Sequence, residues 1–210
     1  MANTSRINGF RPVKHLNGSP YNGQANMYEI AVGEGVAGFV GDLVTLSNAA
    51  STSGLQTVEV TNGGIVAAGA LGPYLGAIVG IVNAKLDPVD GKMTTGSIAL
   101  DTPQTRAAST KQFVMVCDAT DVVYEVECDA SIALASIGLN LQVLEAAGSA
   151  TTGASAFQAS ATGAAVTATF PLQFLGFSKR VDNEAAAAFN KILVRINPHP
   201  FGSVGVLGVA

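Results

Sequence analysis

The side chains able to do chemistry are few and scattered. His15 and His199 are the only histidines, one near each end of the chain. A Ser-His-Asp site needs a base held against its nucleophile, and neither histidine has a carboxylate or a nucleophilic serine beside it in sequence. A Gly-x-Ser-x-Gly elbow is absent, since Gly153-Ala-Ser155 lacks the closing glycine. Structural zinc wants four thiolate or imidazole ligands, usually in close pairs. Only Cys117 and Cys128 are present, too far apart in sequence to make such a pair. Asp118, Asp121 and Asp129, or Asp87 and Asp90, carry oxygens suited to calcium, but neither set follows the Asp-x-Asp-x-Asp-Gly spacing, so they read as solvated turn aspartates. Gly69, Gly72, Gly76 and Gly80 precede no Lys-Ser/Thr pair and no helix, which excludes a phosphate-binding loop. No cofactor motif is present, and the chain reads as a protein that is not an enzyme.

Attention passes to the segment that carries the cations. Residues 1–28 hold Arg6, Arg11 and Lys14 and no carboxylate, giving +3 against −7 for the remainder. Asn17-Gly18 and Asn22-Gly23 mark turns, with Pro12 and Pro20 nearby. The segment shows no helical or strand periodicity. It is expected to be an extended arm without a core of its own, gripping a partner through main-chain pairing and through Ile7, Phe10, Val13 and Leu16. An acidic body argues against nucleic acid as that partner, because phosphate neutralisation needs a basic face.

Composition points the same way. Charged residues make up 12% of the 210 positions, about half of the usual ~25%. So little charge points to an outer surface covered by neighbours, the favoured reading, or to a polar surface built of small residues. Two cysteines do not make a disulfide framework. A turn at Asp118–Asp121 pairs Cys117 with Val122 and leaves Cys128 out of register, so both are expected as free buried thiols of a reducing compartment. No signal peptide is visible. The uncharged run Ile65–Val82 is broken by glycines and Pro73 and lacks cationic flanks, so it reads as two β-segments around a Gly72-Pro73 turn, and a membrane partner is not expected.

Strand signals dominate the body. Phe39–Leu46 is a short β run kinked at Gly41-Asp42, Val58 and Val60 share a face of Gln56–Val60, and Gly76–Val82 reads as a strand buried on both sides. Ser97–Leu100 is a further short strand. Phe113–Val116 and Val122–Glu127 alternate about the Asp118–Asp121 turn and are expected to form a hairpin. Residues 130–147 favour a turn and a strand over a helix, and 149–163 reads as a surface loop with one strand. Pro171 marks Thr167–Phe177 as an edge strand. Glu184–Asn190 is the most helix-like stretch, capped by Asp182 or Asn183, and Lys191–Asn197 alternates with Ile192, Val194 and Ile196 on one face. The expectation is an all-β fold: a small barrel or sandwich of short antiparallel strands with one or two short helices at most. Its divisions are the arm 1–28, a first β block 29–112, a second β block 113–197, and a Gly/Val-rich tail 198–210.

Four stretches taken together carry a resemblance: RINGFRPVKHLNGSPYNGQ (6–24), FVGDLV (39–44), FVMVCDATDVVYEVECD (113–129), and LGFSKRVDNE followed by KILVRIN (175–184, 191–197). The combination resembles small structural proteins encoded beside the major capsid protein in tailed bacteriophages, several of which look like capsid decoration, or cement, proteins. FVGDLVTL with the later GAIVGIV also looks like the lambda-type head decoration fold, although the chain from Phe113 onward lies outside that module.

The resemblance implies a virion protein on the capsid surface, assembled in the host cytoplasm. It would bind the outer face of an assembled icosahedral shell, lock neighbouring capsomers, and have the major capsid protein and further copies of itself as partners. On that reading Arg6, Phe10, Arg11, Lys14 and Tyr21 are the expected shell contacts. A phage tail or fibre module fits the arm and the β-content equally well. The major capsid protein itself fits less well, because that shell fold needs a long spine helix and no amphipathic stretch of adequate length is present.

Overall fold

The structure is a computed structural model that describes residues 3–66, 73–82, 84–86, 93–95, 103–202, 205 and 208. In chain order the strands are β1 (Arg11–His15), β2 (Asn26–Ile30), β3 (Gly38–Phe39), β4 (Leu43–Leu46), β5 (Thr57–Val60), β6 (Gly64–Val66), β7 (Tyr74–Val82) and β8 (Ala84–Leu86). They continue with β9 (Met93–Thr95), β10 (Thr105–Arg106), β11 (Gln112–Cys117), β12 (Val122–Glu127), β13 (Asn140–Glu145), β14 (Gln158–Ala165), β15 (Leu172–Phe177) and β16 (Lys191–Ile196). The all-β expectation holds: among the described residues the sole helical element is a 3-10 turn at Leu134–Ser136. Gly72 of the Gly72-Pro73 turn, the Ser97–Leu100 strand, Asp87, Asp90 and part of the tail lie outside the described residues.

Two sheets organise the body. Strands β11, β2, β5, β4 and β7 close a barrel, in which β2 and β5 run parallel and the other neighbours antiparallel. A seven-stranded antiparallel sheet takes the order β1-β12-β16-β15-β13-β14, with β6 also paired to β13. Its inward side chains and those of the barrel merge into one apolar cluster that includes Ile30, Val44, Ile78, Val116, Tyr124 and Phe174. The alternation read at Lys191–Asn197 is borne out, with Ile192, Val194 and Ile196 buried and Leu193 and Arg195 partly covered. Val58 and Val60 are both in the core. Gly41, at φ 99°, makes the kink between β3 and β4.

Partner choice departs from expectation in several places. Strands β11 and β12 are not a hairpin: β11 pairs with β2 and β7 in the barrel, whereas β12 pairs with β1 and β16 in the sheet. The Asp118–Asp121 turn is therefore the crossover between the two layers. It is tied to the barrel because the Asp118 carboxylate accepts from the Tyr28 hydroxyl (2.6 Å) and from Asn26 Nδ2 (2.9 and 3.0 Å). The division at 112/113 accordingly falls inside the architecture, since the barrel draws its fifth strand from residues 112–117 and the sheet draws β6 from the first block. Both cysteines are buried free thiols. Strand β15 is interior to the sheet, paired on both sides, and Pro171 stands just before it, where its missing N–H costs no ladder bond.

The stretch Glu184–Asn190 forms turns and no helix. Ala186 and Phe189 adopt left-handed φ of 60° and 55°, which breaks an i→i+4 ladder despite the run of alanines. Asn183 acts as a bracket across this loop, not as a helix cap. Its Nδ2 donates to the carbonyls of Ser178 and Lys191 (both 2.8 Å), and its Oδ1 accepts the Lys191 amide (2.7 Å).

The opening segment is only partly an arm. Phe10 is 1% exposed and lies in the core, and β1 is a full member of the sheet, with Arg11 opposite Glu125 and His15 opposite Val122. Strand β2 belongs to the barrel. Among the described residues, 3–10 and 16–25 are the portions of the first 28 that lie outside named strands.

Candidate interaction surface

Residues 3–9 lie along the body by polar contacts that converge on Glu127. Its carboxylate, buried beneath the segment, accepts the Arg6 amide (2.7 Å), the Ser5 hydroxyl (2.8 Å), Lys191 Nζ (2.9 Å) and Gln158 Nε2 (3.2 Å). Lys191 Nζ also donates to the Arg6 carbonyl. Further out, Asn3 exchanges two bonds with the backbone of Glu184. Alternation along β12 places Val123, Glu125 and Glu127 on the face away from the core. At Glu127 that face is covered by the chain's own opening residues, which bury the carboxylate.

The five expected contact residues have different fates. The Arg6 side chain is exposed and stands 3.9 Å from an exposed Asp182 carboxylate oxygen. Arg11 and Lys14 are exposed on β1. Tyr21 is half-buried; its amide donates to the Val13 carbonyl (3.2 Å) and its hydroxyl to the Gln24 carbonyl (2.8 Å), closing the turn that follows β1. Burial raises the Tyr21 phenol well above its ordinary range, so it stays a neutral donor. Phe10 is the correction. It makes an edge-on contact with Tyr124 at 6.4 Å between ring centroids, inside the core, and presents nothing to an outside partner.

Phe10, Arg11 and Tyr21 nevertheless share one groove of about 480 Å³, whose other wall includes Val40, between β3 and β4, and Ile78 and Val79 of barrel strand β7. Arg6 and Arg11 also line a smaller hollow of about 150 Å³ with Arg180 and Lys191 against Glu125 and Asp182. Three of the four apolar residues read as contacts are outward, with Ile7 37%, Val13 36% and Leu16 46% exposed. The result is a ridge of cations and apolar side chains held to an acidic body by the β1–β12 pairing, the buried Phe10 ring and the Glu127 hydrogen bonds.

The chemistry-bearing residues are engaged structurally. His15 Nδ1 lies 3.1 Å from Asp121 Oδ1, a spatial pairing that sequence distance hid. No serine hydroxyl bonds to that ring among the described residues, and the Ser19 hydroxyl donates to Asn17 instead. His199 is locked as the neutral ring: Nδ1 accepts the Phe201 amide (3.1 Å), so Nε2 carries the proton given to the Leu75 carbonyl (2.7 Å). Burial lowers its pKa. Asp129 accepts from Ser160 Oγ and the Ala161 amide. Among the described residues no group of three or more His, Cys, Asp or Glu is placed to hold a metal ion, and no helix is long and apolar enough to cross a membrane.

Three buried polar residues were not legible as structural anchors. Arg106, on the short strand β10, is fully buried and donates to four backbone carbonyls, those of Ala31, Glu34, Val36 and Thr110. Glu29 gathers the loop Ser51–Ser53 around its carboxylate, with Lys111 Nζ 3.5 Å away. Glu145 of the sheet accepts from Tyr74 of the barrel. A lone charge in a polar or alternating stretch carries no local mark that distinguishes such an anchor from a solvated side chain. No protein-family model, curated protein or solved structure matches the chain.

Proposed function

We propose that this chain is a structural virion protein that binds the outer surface of an assembled phage capsid and cements neighbouring capsomers. The major capsid protein is the partner, with further copies of the chain beside it on the particle. The observation that carries the reading is the ridge formed by Ile7, Val13 and Leu16 with Arg6, Arg11 and Lys14, exposed on an otherwise acidic chain. The resemblance of the four sequence stretches supplies the class of partner.

The mode of contact differs from a loose arm. Residues 10–15 belong to the fold, so the ridge is presented pre-ordered and binding costs less conformational entropy than ordering a free segment. Each contact is modest, and many copies on a symmetric shell sum to firm attachment. Because a copy engages neighbouring subunits only where the shell has assembled, binding stabilises the shell by mass action.

Deleting residues 1–16 is a poor test, since it removes Phe10 and β1 with the ridge. The triple variant R6E/R11E/K14E leaves the core intact. Incubated with undecorated heads and sedimented, it should lose occupancy at least tenfold relative to the parent protein. Normal occupancy by the variant would sink the reading. A cryo-electron microscopy map of the particle that placed the density on the tail would replace it with the tail or fibre alternative.

A further inference from the structure

Four Asn-Gly steps punctuate the chain, at Asn8, Asn17, Asn22 and Asn62, and three of them fall within the first 23 residues. Such a step is where an asparagine most readily cyclises onto its own backbone, because the following residue has no Cβ to obstruct the ring. The local sequences are alike at the reacting atoms, so the fold decides among them. Reaction requires a glycine nitrogen free to lose its proton and a backbone with room to turn.

Asn8 lacks the room, and burial keeps solvent base from the Gly9 nitrogen. Gly9 is buried, and a Cβ placed there would lie 2.4 Å from the Gly41 carbonyl oxygen. The Gly63 amide after Asn62 donates to the buried Glu145 carboxylate at 2.7 Å. The Gly18 amide after Asn17 donates to the His15 carbonyl at 2.9 Å, and the Asn17 side-chain oxygen is held by both the amide (2.9 Å) and the hydroxyl (2.7 Å) of Ser19. Asn22 alone is loosely kept. Its Oδ1 accepts one long bond, from the Gln24 amide at 3.3 Å, while the Gly23 amide makes no hydrogen bond among the described residues. Nothing lies within 4 Å of the position a Gly23 Cβ would take, and both residues are exposed.

We propose that Asn22 is a site of spontaneous backbone modification. Solvent base removes the Gly23 amide proton, and the nitrogen attacks Asn22 Cγ. The N–Cγ bond forms as the Cγ–Nδ2 bond breaks, and the side-chain nitrogen leaves as ammonia. Water then opens the five-membered imide at either carbonyl, leaving aspartate or isoaspartate. A carboxylate appears next to Tyr21, and the charge of residues 1–28 falls from +3 to +2. Resting on the proposed function, the consequence is a copy that binds shells less tightly as it ages.

Peptide mapping by mass spectrometry of the intact, folded chain held at pH 8–9 tests the site without any shell. The Asn22 peptide should gain about 1 Da first, at least tenfold faster than Asn17, with Asn8 and Asn62 unchanged over the same interval. In denaturant the four should convert at rates within a few-fold of one another. Conversion of Asn8 or Asn62 as fast as Asn22 in the folded protein, or persistence of the same order in denaturant, overturns the proposal. Shell sedimentation of N22D reads the consequence separately, so its failure leaves the mapping result standing.

Discussion

Phe10 meets Tyr124 edge to face at 6.4 Å between ring centroids, and this contact decides where the opening segment ends and the body begins. Both rings are 1% exposed. Aromatic pairs in this arrangement add to the burial of their area, and truncating a buried phenylalanine to alanine costs ~3–5 kcal/mol. F10A should therefore lower the free energy of unfolding by about 3 kcal/mol or more. The exposed neighbour variant V13A should stay within about 0.5 kcal/mol of the parent. Equilibrium unfolding in urea measures both. Equal stability of F10A and the parent would restore the picture of an arm with no interior.

Arg106 carries a second prediction. Its guanidinium is bonded to four main-chain carbonyls, three of them in the 31–36 loop, and burial lowers its pKa without a carboxylate in hydrogen-bond contact. A planar group with five donors can serve several carbonyls at once, which a lysine ammonium cannot. R106K should cost about 3 kcal/mol, because the carbonyls lose donors and a buried charge is left underpaired. It should also make the 31–36 loop the first site of limited proteolysis. Unchanged stability with an unchanged cleavage map would show that the loop holds without it.

What was legible in the sequence was local. Period-2 alternation at Lys191–Ile196, the inward placing of Val58 and Val60, and the Gly41 kink are properties of a few adjacent residues and appear as read. What was not legible depends on partners distant in sequence. The Asp118–Asp121 turn looks the same whether its strands pair with each other or leave for different sheets, and the choice is made by Tyr28 and Asn26 about ninety positions earlier. Phe10 reads as an arm residue until Tyr124 is set beside it. The alanines at 185–188 favour helix, yet Asn183 closing onto Ser178 and Lys191 outweighs that preference. Of the five contact residues, Arg11 and Lys14 share one face of β1 because the register shifts at Val13, setting them opposite Glu125 and Val123, and no alternation in the sequence marks that irregularity.

Two buried titrating groups act on stability with opposite signs. Burial lifts the Asp42 carboxyl to about 7, and the Glu145 charge adds to that. The folded chain thus holds this proton to higher pH than the unfolded chain does. The stability it contributes is complete below the ordinary aspartate range near pH 4 and is lost as pH rises through about 7. His199 runs the other way: burial depresses its pKa, so its contribution is present above about pH 6.5 and is lost as pH falls through the folded value. D42N should flatten the decline in midpoint denaturant concentration between pH 5 and 8, and H199Q should flatten the decline on acidification. A parent-like pH profile in D42N would mean that the carboxyl titrates as if in water.

Glu145 joins the two layers. It stands on β13 of the sheet and accepts from the Tyr74 hydroxyl on barrel strand β7 (2.6 Å), from the Gly63 amide (2.7 Å) and from the Thr61 hydroxyl. A buried carboxylate surrounded by donors is stabilising only while the set is complete. Losing one partner should cost ~1–3 kcal/mol, so Y74F is expected to lower stability by about that much. E145Q removes the charge and the acceptor geometry together. The double variant Y74F/E145Q should then cost less than the sum of the singles by at least about 0.5 kcal/mol, the coupling typical of residues in direct contact. Strict additivity in a double-mutant cycle would show that barrel and sheet are held together by their apolar cluster alone, with the carboxylate a passenger at the seam.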